Sequence, residues 1–388
     1  MGCRLYGAHR AAISIKDSVV LFHSPVCCNY ATLLALAPSH QNDTRQACTY
    51  MIESDVINGG EHVLRACIDR VIETFDYNVL FIITSCVPEL LSDDCAQILD
   101  DALAGSAHPN AGKPSFIIEA PGFKGDEWQG TLDTMKQIVS SMENVPVIPG
   151  SINLIGIFQS DYKADGDVKN IAAMLDNVSL NAVFPYDTYN NVMRIPAAEL
   201  NVILRGFEPI GEVLKERFGA PYLVVDYPYG LDLSRSFCES IYRALGQSDF
   251  TEIDRQEAEA LRKLGAVRRY IEQLNTMPVA VAGYPAKVHS LSRMLREELG
   301  MVVSVKIDRT DFAQEQVLPA IENSEATLLF GCDYEASVAS MLDIPFFAFD
   351  YPVLRRVSIS ESGYAGFSGY VSFIEDVINK LMEENFST

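Results

Sequence analysis

The chain has 388 residues, 48% of them hydrophobic, and a formal net charge of −22 at pH 7. This length suffices for two or three domains with substantial cores, and we expect three. The negative charge argues against nucleic-acid binding, which draws its non-specific affinity from clustered lysine and arginine side chains.

Short runs rich in Val, Ile and Phe, each closed by a turn signal, alternate with amphipathic segments along the chain. This alternation is typical of an α/β fold in which crossover helices join buried parallel strands. It predicts three doubly wound, Rossmann-like domains with parallel sheets. In chain order, the predicted strands cover residues 19–23, 79–84, 115–120, 145–148, 152–157, 181–185, 222–226, 279–283, 302–307, 326–330 and 345–350.

One stretch interrupts the alternation and helps to place the domain boundaries. Residues 249–275 are the most charged and least strand-like part of the sequence, and they predict one long helix that joins two α/β units. We place boundaries near Val145 and Leu274. The predicted domains are therefore an N-terminal domain (1–145), a middle domain with the connecting helix (146–274) and a C-terminal domain (275–388).

The loops that follow predicted strands are the places to look for a ligand, because α/β sheets bind ligands beyond the carboxyl ends of their strands. Four tyrosines in these loops are candidates to line a cleft between the domains: Tyr227, Tyr229, Tyr284 and Tyr351. Packing is the alternative role for each of them. The loops that this rule selects are 84–86, 120–122, 227–230, 283–285, 331–333 and 350–352.

Three cysteines carry most of the functional information. Cys3, Cys28 and Cys86 each lie in a predicted turn or at a predicted strand end. Thiolates on short loops can meet at one iron–sulfur cluster, whose ligands must approach from several directions. For the remaining cysteines, filling of a core is the simpler interpretation.

The cysteine count also bears on the compartment. Nine cysteines without a visible secretory signal indicate a reducing environment, so we expect a cytoplasmic protein in which metal ligation is favoured over disulfides. No window approaches the ~20 apolar residues that a membrane-spanning helix needs. We therefore expect no membrane partner.

The motifs around these cysteines resemble those of component 1 of the nitrogenase superfamily. This group includes nitrogenase molybdenum–iron protein subunits, cofactor-assembly scaffolds, and reductases of protochlorophyllide and of the coenzyme F430 precursor. Weaker similarity continues over residues 147–155, 219–230 and 362–369. The stronger matches are Cys3 with Gly7 and Ala8 (family pattern Cys-x-x-Leu-Gly-Ala), 23–28 (His-Gly-Pro-x-Gly-Cys), 86–94 (Cys-x-x-Glu-x-Ile-Gly-Asp-Asp) and 120–125 (Thr-Pro-x-Phe-x-Gly).

The resemblance implies that Cys3, Cys28 and Cys86 of the N-terminal domain bind an iron–sulfur cluster, 4Fe–4S or larger, shared at a subunit interface. An identical or homologous component 1 subunit would complete the site, and the pair would form a dimer. The resemblance further implies an ATP-hydrolysing iron protein as electron donor. ATP would bind only to that partner, because this sequence lacks a Gly-x-x-x-x-Gly-Lys-Ser/Thr phosphate loop.

Several residues depart from the family pattern or have more than one possible role. Cys27 replaces a glycine and could provide another thiolate or only pack in the turn, and Gly122 stands where some members have a serine. The Cys and His that hold the large nitrogenase cofactor correspond to Ile203 and Arg356, neither of which can bind a metal. His23 is expected to form hydrogen bonds beside the cluster, and Asp93-Asp94 to cap the following helix.

The sequence leaves three functions open. The first is an oxidoreductase subunit that carries out a multi-electron reduction of a tetrapyrrole or a small molecule in the interdomain cleft; its catalytic residues are unassigned. The second is a scaffold for iron–sulfur cofactor assembly. The third is a non-redox cytoplasmic module that binds a small molecule and has incidental cysteines.

Overall fold

The computed structural model describes residues 2–34 and 45–386. Its strands are β1 (Ser18–His23), β2 (Gln46–Cys48), β3 (Val79–Thr84), β4 (Ser115–Glu119), β5 (Ile148–Ile157), β6 (Ser179–Pro185), β7 (Ala198–Leu204), β8 (Tyr222–Val225), β9 (Pro278–Gly283), β10 (Val302–Asp308), β11 (Leu328–Gly331) and β12 (Phe346–Ala348).

The helices are α1 (Arg4–Ile13), α2 (Val26–Leu34), α3 (Glu53–Asn58), α4 (Glu61–Thr74), α5 (Cys86–Leu91), α6 (Cys95–Gly105), α7 (Glu127–Ser140), α8 (Ala164–Met174), α9 (Tyr189–Val192), α10 (Glu208–Phe218), α11 (Gly230–Ala244), α12 (Thr251–Gly265), α13 (Arg268–Glu272), α14 (Pro285–Glu297), α15 (Gln314–Glu322), α16 (Asp333–Leu342) and α17 (Gly366–Phe386). Short 3-10 turns occupy Pro109–Gly112, Gly122–Lys124 and Ile195–Ala197.

The strands form three four-stranded sheets with one shared topology. Their orders are β2-β1-β3-β4, β6-β5-β7-β8 and β10-β9-β11-β12, and all strand pairs in them are parallel. The predicted α/β class with three parallel sheets is confirmed. We call each sheet with its helices the N-terminal, middle or C-terminal unit. The predicted domain boundaries near Val145 and Leu274 fall between sheets, and they stay a prediction.

Alternate residues of β1 face opposite sides of the first sheet, as the two-residue period of a strand requires. Val20 and Phe22 enter a large core that includes residues of α1 and α7. Val19 and Leu21 face a second core, formed with α4 and α6. The sheet is therefore covered on both faces, which is the doubly wound arrangement.

The middle sheet differs most from the sequence-based prediction. Of the predicted strand 145–148, only Ile148 lies in a strand. β5 begins there and continues through Pro149 and Gly150 into the predicted strand 152–157, because the chain stays extended between them. The pairing of β5 with β7 shifts register there, and Gly150 takes a φ of 71°, which a residue without Cβ tolerates.

Two strands are absent from the prediction. The edge strand β2 has only three residues, and the central strand β7 contains two polar residues, Glu199 and Asn201, that hide its apolar pattern. Asn201 is fully buried, and its side-chain oxygen accepts a hydrogen bond from Asn153 at 2.7 Å. This pairing satisfies the buried amides, which the sequence pattern alone does not reveal.

The single long helix predicted for residues 249–275 is two helices. α12 ends at Gly265, a residue with low helix propensity, and α13 covers only Arg268–Glu272. The last described helix, α17, packs against α8, α11 and α12 and so returns to the middle unit. Within the described ranges, no helix is both long and apolar enough to cross a membrane.

Candidate functional site

The three predicted cysteine ligands lie at the beginnings of three helices. Cys3 is the N-cap of α1, Cys28 lies in the first turn of α2, and Cys86 is the first residue of α5. The prediction of turns or strand ends is therefore wrong for Cys28 and Cys86, because α2 and α5 begin almost directly after β1 and β3. Since β1 and β3 are parallel neighbours, their carboxyl ends meet at one edge and bring the two helix starts together.

Gly122 marks the place where Cys3 and Cys86 approach each other. Its backbone N–H donates a hydrogen bond to Cys86 Sγ at 3.1 Å. A Cβ atom added at Gly122 would lie 3.5 Å from Cys3 Sγ and 3.5 Å from Cys86 Sγ. The two sulfur atoms therefore border one small space that even a methyl group would begin to fill.

Cys28 belongs to the same group of thiols. Burial raises the pKa of Cys28, and together with smaller effects of the neighbouring Cys27, Cys3 and Cys86, in that order, it brings the pKa to about 12. The four sulfur atoms are therefore close enough to influence one another electrostatically. Positive charge from bound iron would reverse this effect, because a coordinated thiol is deprotonated.

The donor set and the space beside Gly122 fit an iron–sulfur cluster. Among residues 2–34 and 45–386, no group of three or more His, Cys, Asp or Glu residues is arranged to hold a metal ion. Cluster ligands bind different iron atoms, so they need not meet around one point as the ligands of a single zinc ion do. The assignment of Cys3, Cys28 and Cys86 as ligands stays a prediction.

His23, the last residue of β1, lies beside the cysteine site, and its carbonyl oxygen accepts a hydrogen bond from the N–H of Ser85, the neighbour of Cys86. The imidazole is fully buried, with Nδ1 3.2 Å from Thr49 Oγ1 and Nε2 3.1 Å from Asp93 Oδ2. Burial lowers the pKa of His23, and Asp93 partly opposes that shift. Asp94 caps α6 by accepting a hydrogen bond from the Gln97 N–H. Asp93 does not cap α6; it lies 3.1 Å from His23 Nε2 and accepts a hydrogen bond from the N–H of Gly60, the N-cap residue of α4.

Large apolar side chains on the segments that carry the cysteines, or that follow the neighbouring strand β2, face solvent. Leu90 of α5 is 73% exposed, and Phe123, the neighbour of Gly122, is 58% exposed. We call the following set the apolar rim: Val26, Tyr30, Tyr50, Ile52, Leu90 and Phe123. Exposed apolar side chains concentrated at one place mark an interaction surface.

A cavity of about 510 Å³ lies between the start of α8 and residues 356–361. Lys163, Lys169 and Arg356 contribute positive charge to its wall, and Asp161, Asp165 and Glu361 contribute negative charge. Lys163 donates a hydrogen bond to Asp376 at 2.9 Å, and Lys169 pairs with Glu361. These two ion pairs connect α8 of the middle unit to the last part of the chain beside the cavity.

The predicted cleft tyrosines do not line this cavity. Tyr227, Tyr229, Tyr284 and Tyr351 are all buried, so packing is the role that the structure supports for them. Tyr227 donates a hydrogen bond to Asp167 at 2.6 Å, and Tyr284 and Tyr351 pack around Arg10. The rule that ligands bind beyond the carboxyl ends of strands selects the loops that contain these tyrosines. It does not distinguish a tyrosine that packs in the interior from one that lines a cavity.

A family model described as nitrogenase component 1 type oxidoreductase matches residues 3–382. The chain belongs to this family.

Relatives within the nitrogenase component 1 family include proteins of two kinds. The nitrogenase molybdenum-iron protein alpha chain of Methanothermobacter marburgensis is 26% identical over 330 residues, covering 78% of this chain and 67% of the relative. The nitrogenase iron-molybdenum cofactor biosynthesis protein NifE of a Nostoc species is 26% identical over 260 residues. That match covers 64% of this chain and 52% of NifE, so the chain spans about half of that protein.

The fold agrees with this assignment. A solved structure of nitrogenase Cp1 at pH 6.5 superposes with a TM-score of 0.81 at 18% sequence identity, covering 99% of this chain and 92% of the other. Such low identity supports the shared fold and no finer statement. The nitrogenase component 1 fold therefore extends over the three sheets.

Two departures from the component 1 pattern now have positions in the structure. Ile203 is fully buried in β7, and Arg356 lines the cavity. Burial raises the pKa of Tyr162, and the positive charge of Arg356 partly opposes that rise. Neither side chain offers a metal ligand at neutral pH.

Proposed function

We propose that this chain is a redox subunit that holds an iron–sulfur cluster through Cys3, Cys28 and Cys86. The observation that carries the proposal is the grouping of these thiols around Gly122, at the edge of the first sheet. Such a cluster supplies electron transfer, and the protein sets its potential through burial and hydrogen bonds such as Gly122 N–H to Cys86 Sγ.

The incomplete ligand set supports a second subunit. Three thiolates from one chain leave a four-thiolate site one ligand short, and the apolar rim offers the surface that a partner would cover. The proposed partner is an identical or homologous component 1 subunit. Cys27 is exposed beside the site and is the alternative thiolate of this chain.

The proposed electron donor is a separate, ATP-hydrolysing iron protein, and ATP binds to that partner alone. The proposed substrate site is the cavity between the middle and C-terminal units. Its 510 Å³ lies within the ~300–1,000 Å³ typical of small-molecule sites. A tetrapyrrole or a smaller molecule is the candidate substrate, and the compartment we propose is the cytoplasm.

The decisive experiment is iron and sulfide analysis of anaerobically purified protein, combined with low-temperature EPR. We expect iron and sulfide in the wild type, and loss or alteration of the EPR signal in Cys3→Ala, Cys28→Ala and Cys86→Ala. Cys27→Ala tests the alternative thiolate, and an unchanged signal in that variant assigns Cys27 to packing. Iron-free wild-type protein would contradict the redox proposal and favour the small-molecule binding module.

A cofactor-assembly scaffold is the second candidate, favoured by the match to NifE. Both candidates need the cluster, so iron content does not separate them. Steady substrate reduction in the presence of the iron protein and ATP would support the enzyme. Transfer of metal from this chain to an apo-enzyme, without turnover of its own, would support the scaffold.

A further inference from the structure

Arg10 lies at the point where the three units meet. Its side chain is 3% exposed, and its Nη2 donates a hydrogen bond to Asp161 Oδ1 at 2.6 Å. The guanidinium also lies 4.3 Å from the ring centroid of Phe158 and 4.3 Å from that of Tyr351. Arg10 belongs to the N-terminal unit, Phe158 and Asp161 to the middle unit, and Tyr351 to the C-terminal unit.

The C-terminal unit adds a second cation to this junction. Lys287 Nζ of α14 lies 3.5 Å from Asp161 Oδ2 and is buried without a hydrogen-bond partner among the described atoms. Burial alone would raise the pKa of Asp161, but Lys287 and Arg10 more than offset it and lower the pKa. One ionised carboxylate thus holds two buried cations, and removing Asp161 would leave both without this counter-charge.

Arg10 is rigidly connected to the cysteine site. Cys3 caps the helix on which Arg10 lies two turns later, about 10 Å along the axis. Helix α1 packs so tightly on α7 that a Cβ atom at Gly7 would lie 1.7 Å from the Glu127 carbonyl oxygen. A displacement at Arg10 therefore moves Cys3 unless the helix itself deforms.

We propose that Arg10 is a positioning residue: by fixing α1 to the middle and C-terminal units, it sets the position of the Cys3 thiolate relative to Cys86. Asp161 also forms part of the cavity wall, so the Arg10–Asp161 contact connects α1, which begins at Cys3, to that cavity. The inference rests on the proposed cluster site but concerns a residue outside the ligand set.

The first test needs no iron. In reduced, iron-free protein, we compare the rates at which iodoacetamide alkylates Cys3 and Cys86, read by peptide mass spectrometry. Arg10→Gln should change the ratio of the Cys3 and Cys86 alkylation rates by about threefold or more. Arg10→Lys should change it by less, because lysine keeps the positive charge but lacks the planar set of guanidinium N–H donors. The control is Lys163→Gln, which removes an ion pair between units that does not touch α1.

The second test uses the iron-loaded protein. Arg10→Gln and Asp161→Asn should shift the EPR g values and the midpoint potential of the cluster, whereas Lys163→Gln should shift neither. Asp161→Asn leaves Arg10 in the chain but removes its charged partner, so it provides the test if Arg10→Gln fails to fold. Wild-type alkylation ratios and spectra in a folded Arg10→Gln or Asp161→Asn variant would overturn the inference. Wild-type protein without iron would contradict the redox proposal, while the alkylation ratio still decides the role of Arg10.

Discussion

At the scale of single residues, Gly122 is the position where the smallest change should have the largest effect on the site. Its Cβ would lie 3.1 Å from Cys3 Cβ, closer than packed atoms usually come, and would enter the space between two sulfur atoms. We expect Gly122→Ala to retain the fold but to lower the iron content of anaerobically purified protein by about half or more, since a misplaced ligand loosens the metal about tenfold or more.

The matched control is Gly112→Ala, because a Cβ at Gly112 would meet nothing within 4 Å. Circular dichroism verifies that both variants are folded, and iron and sulfide analysis gives the result. Full iron occupancy in folded Gly122→Ala would show that the space beside Gly122 is not part of the cluster site.

The sequence reveals a residue's role only when the residues next to it in the chain form a recognisable motif. The sequence predicts the three cysteines as ligands because each lies in a short motif that can be read from its neighbours, and this assignment stays a prediction. Arg10 carried no such signal, since its partner Asp161 and the second cation at that carboxylate, Lys287, lie far away in the chain and only the folded structure brings them together. For the same reason the sequence places Asp93 at the cap of the following helix, whereas its partners are His23, 70 residues away, and the N–H of Gly60, 33 residues away.

At the scale of elements, the crossing of α1 and α7 depends on a pair of glycines. A Cβ at Gly7 would lie 1.7 Å from the Glu127 carbonyl oxygen, and one at Gly130 would lie 2.0 Å from the Arg4 carbonyl oxygen. We expect Gly7→Ala to destabilise the protein by about 3 kcal/mol or more, because backbone atoms cannot yield as a flexible side chain can. Denaturant unfolding measures the change.

Gly265→Ala is the control for that prediction. Gly265 ends α12, has a negative φ, and its added Cβ would meet no atom within 4 Å. Alanine there should leave stability unchanged or raise it by up to about 1 kcal/mol. Equal stability of the two variants would mean that the helix crossing adjusts more easily than its geometry indicates.

The start of α11 depends on Glu298, which follows α14. Glu298 accepts hydrogen bonds from the Leu231 N–H at 2.8 Å and the Asp232 N–H at 3.2 Å. Burial raises the pKa of Glu298 to about 7, an effect that these bonds only partly oppose. The folded state therefore binds this proton more tightly than the unfolded chain does, and stability should fall as the pH rises from about 4.5 to 7.

Glu298→Gln should remove up to about 3 kcal/mol of that pH dependence, because glutamine does not ionise. The measurement is the free energy of unfolding in denaturant at several pH values between 4 and 8. Glu297→Gln is the control, since Glu297 is exposed and pairs with Arg293. The same pH slope in Glu298→Gln and wild type would contradict the assignment.

The elements themselves were mostly readable from the sequence. Strands β3 and β9 lie in continuous apolar runs, and the prediction found both. Strand β7 was missed because Asn201 pairs with Asn153, a residue of another strand, and β5 was divided because Pro149-Gly150 has the composition of a turn. Both strands depend on pairing with strands that are distant in the sequence, and the local pattern of apolar residues carries no information about that pairing.

At the scale of the whole molecule, the apolar rim predicts association. Leu90→Glu should weaken the proposed dimer and reduce iron retention together, because α5 carries both Leu90 of the apolar rim and Cys86 of the proposed cluster site. Sedimentation velocity gives the oligomeric state, and iron analysis gives occupancy. Met341→Glu is the control, since Met341 is 71% exposed on α16 of the C-terminal unit, close to the 73% of Leu90. If the Leu90→Glu variant remains a dimer and retains its full iron content, the partner binds at a surface other than the apolar rim.

The return of α17 to the middle unit has a consequence for biosynthesis. Lys163 and Asp376 form an ion pair although 213 residues separate them, and Asp167 accepts hydrogen bonds from backbone groups of Tyr364 and Ala365. One side of α8 therefore stays uncovered while the ribosome translates the residues between α8 and α17. Nascent chains that stop before α17 should expose this side to chaperones, and the middle unit should acquire its native protease resistance only after Asp376 has left the exit tunnel.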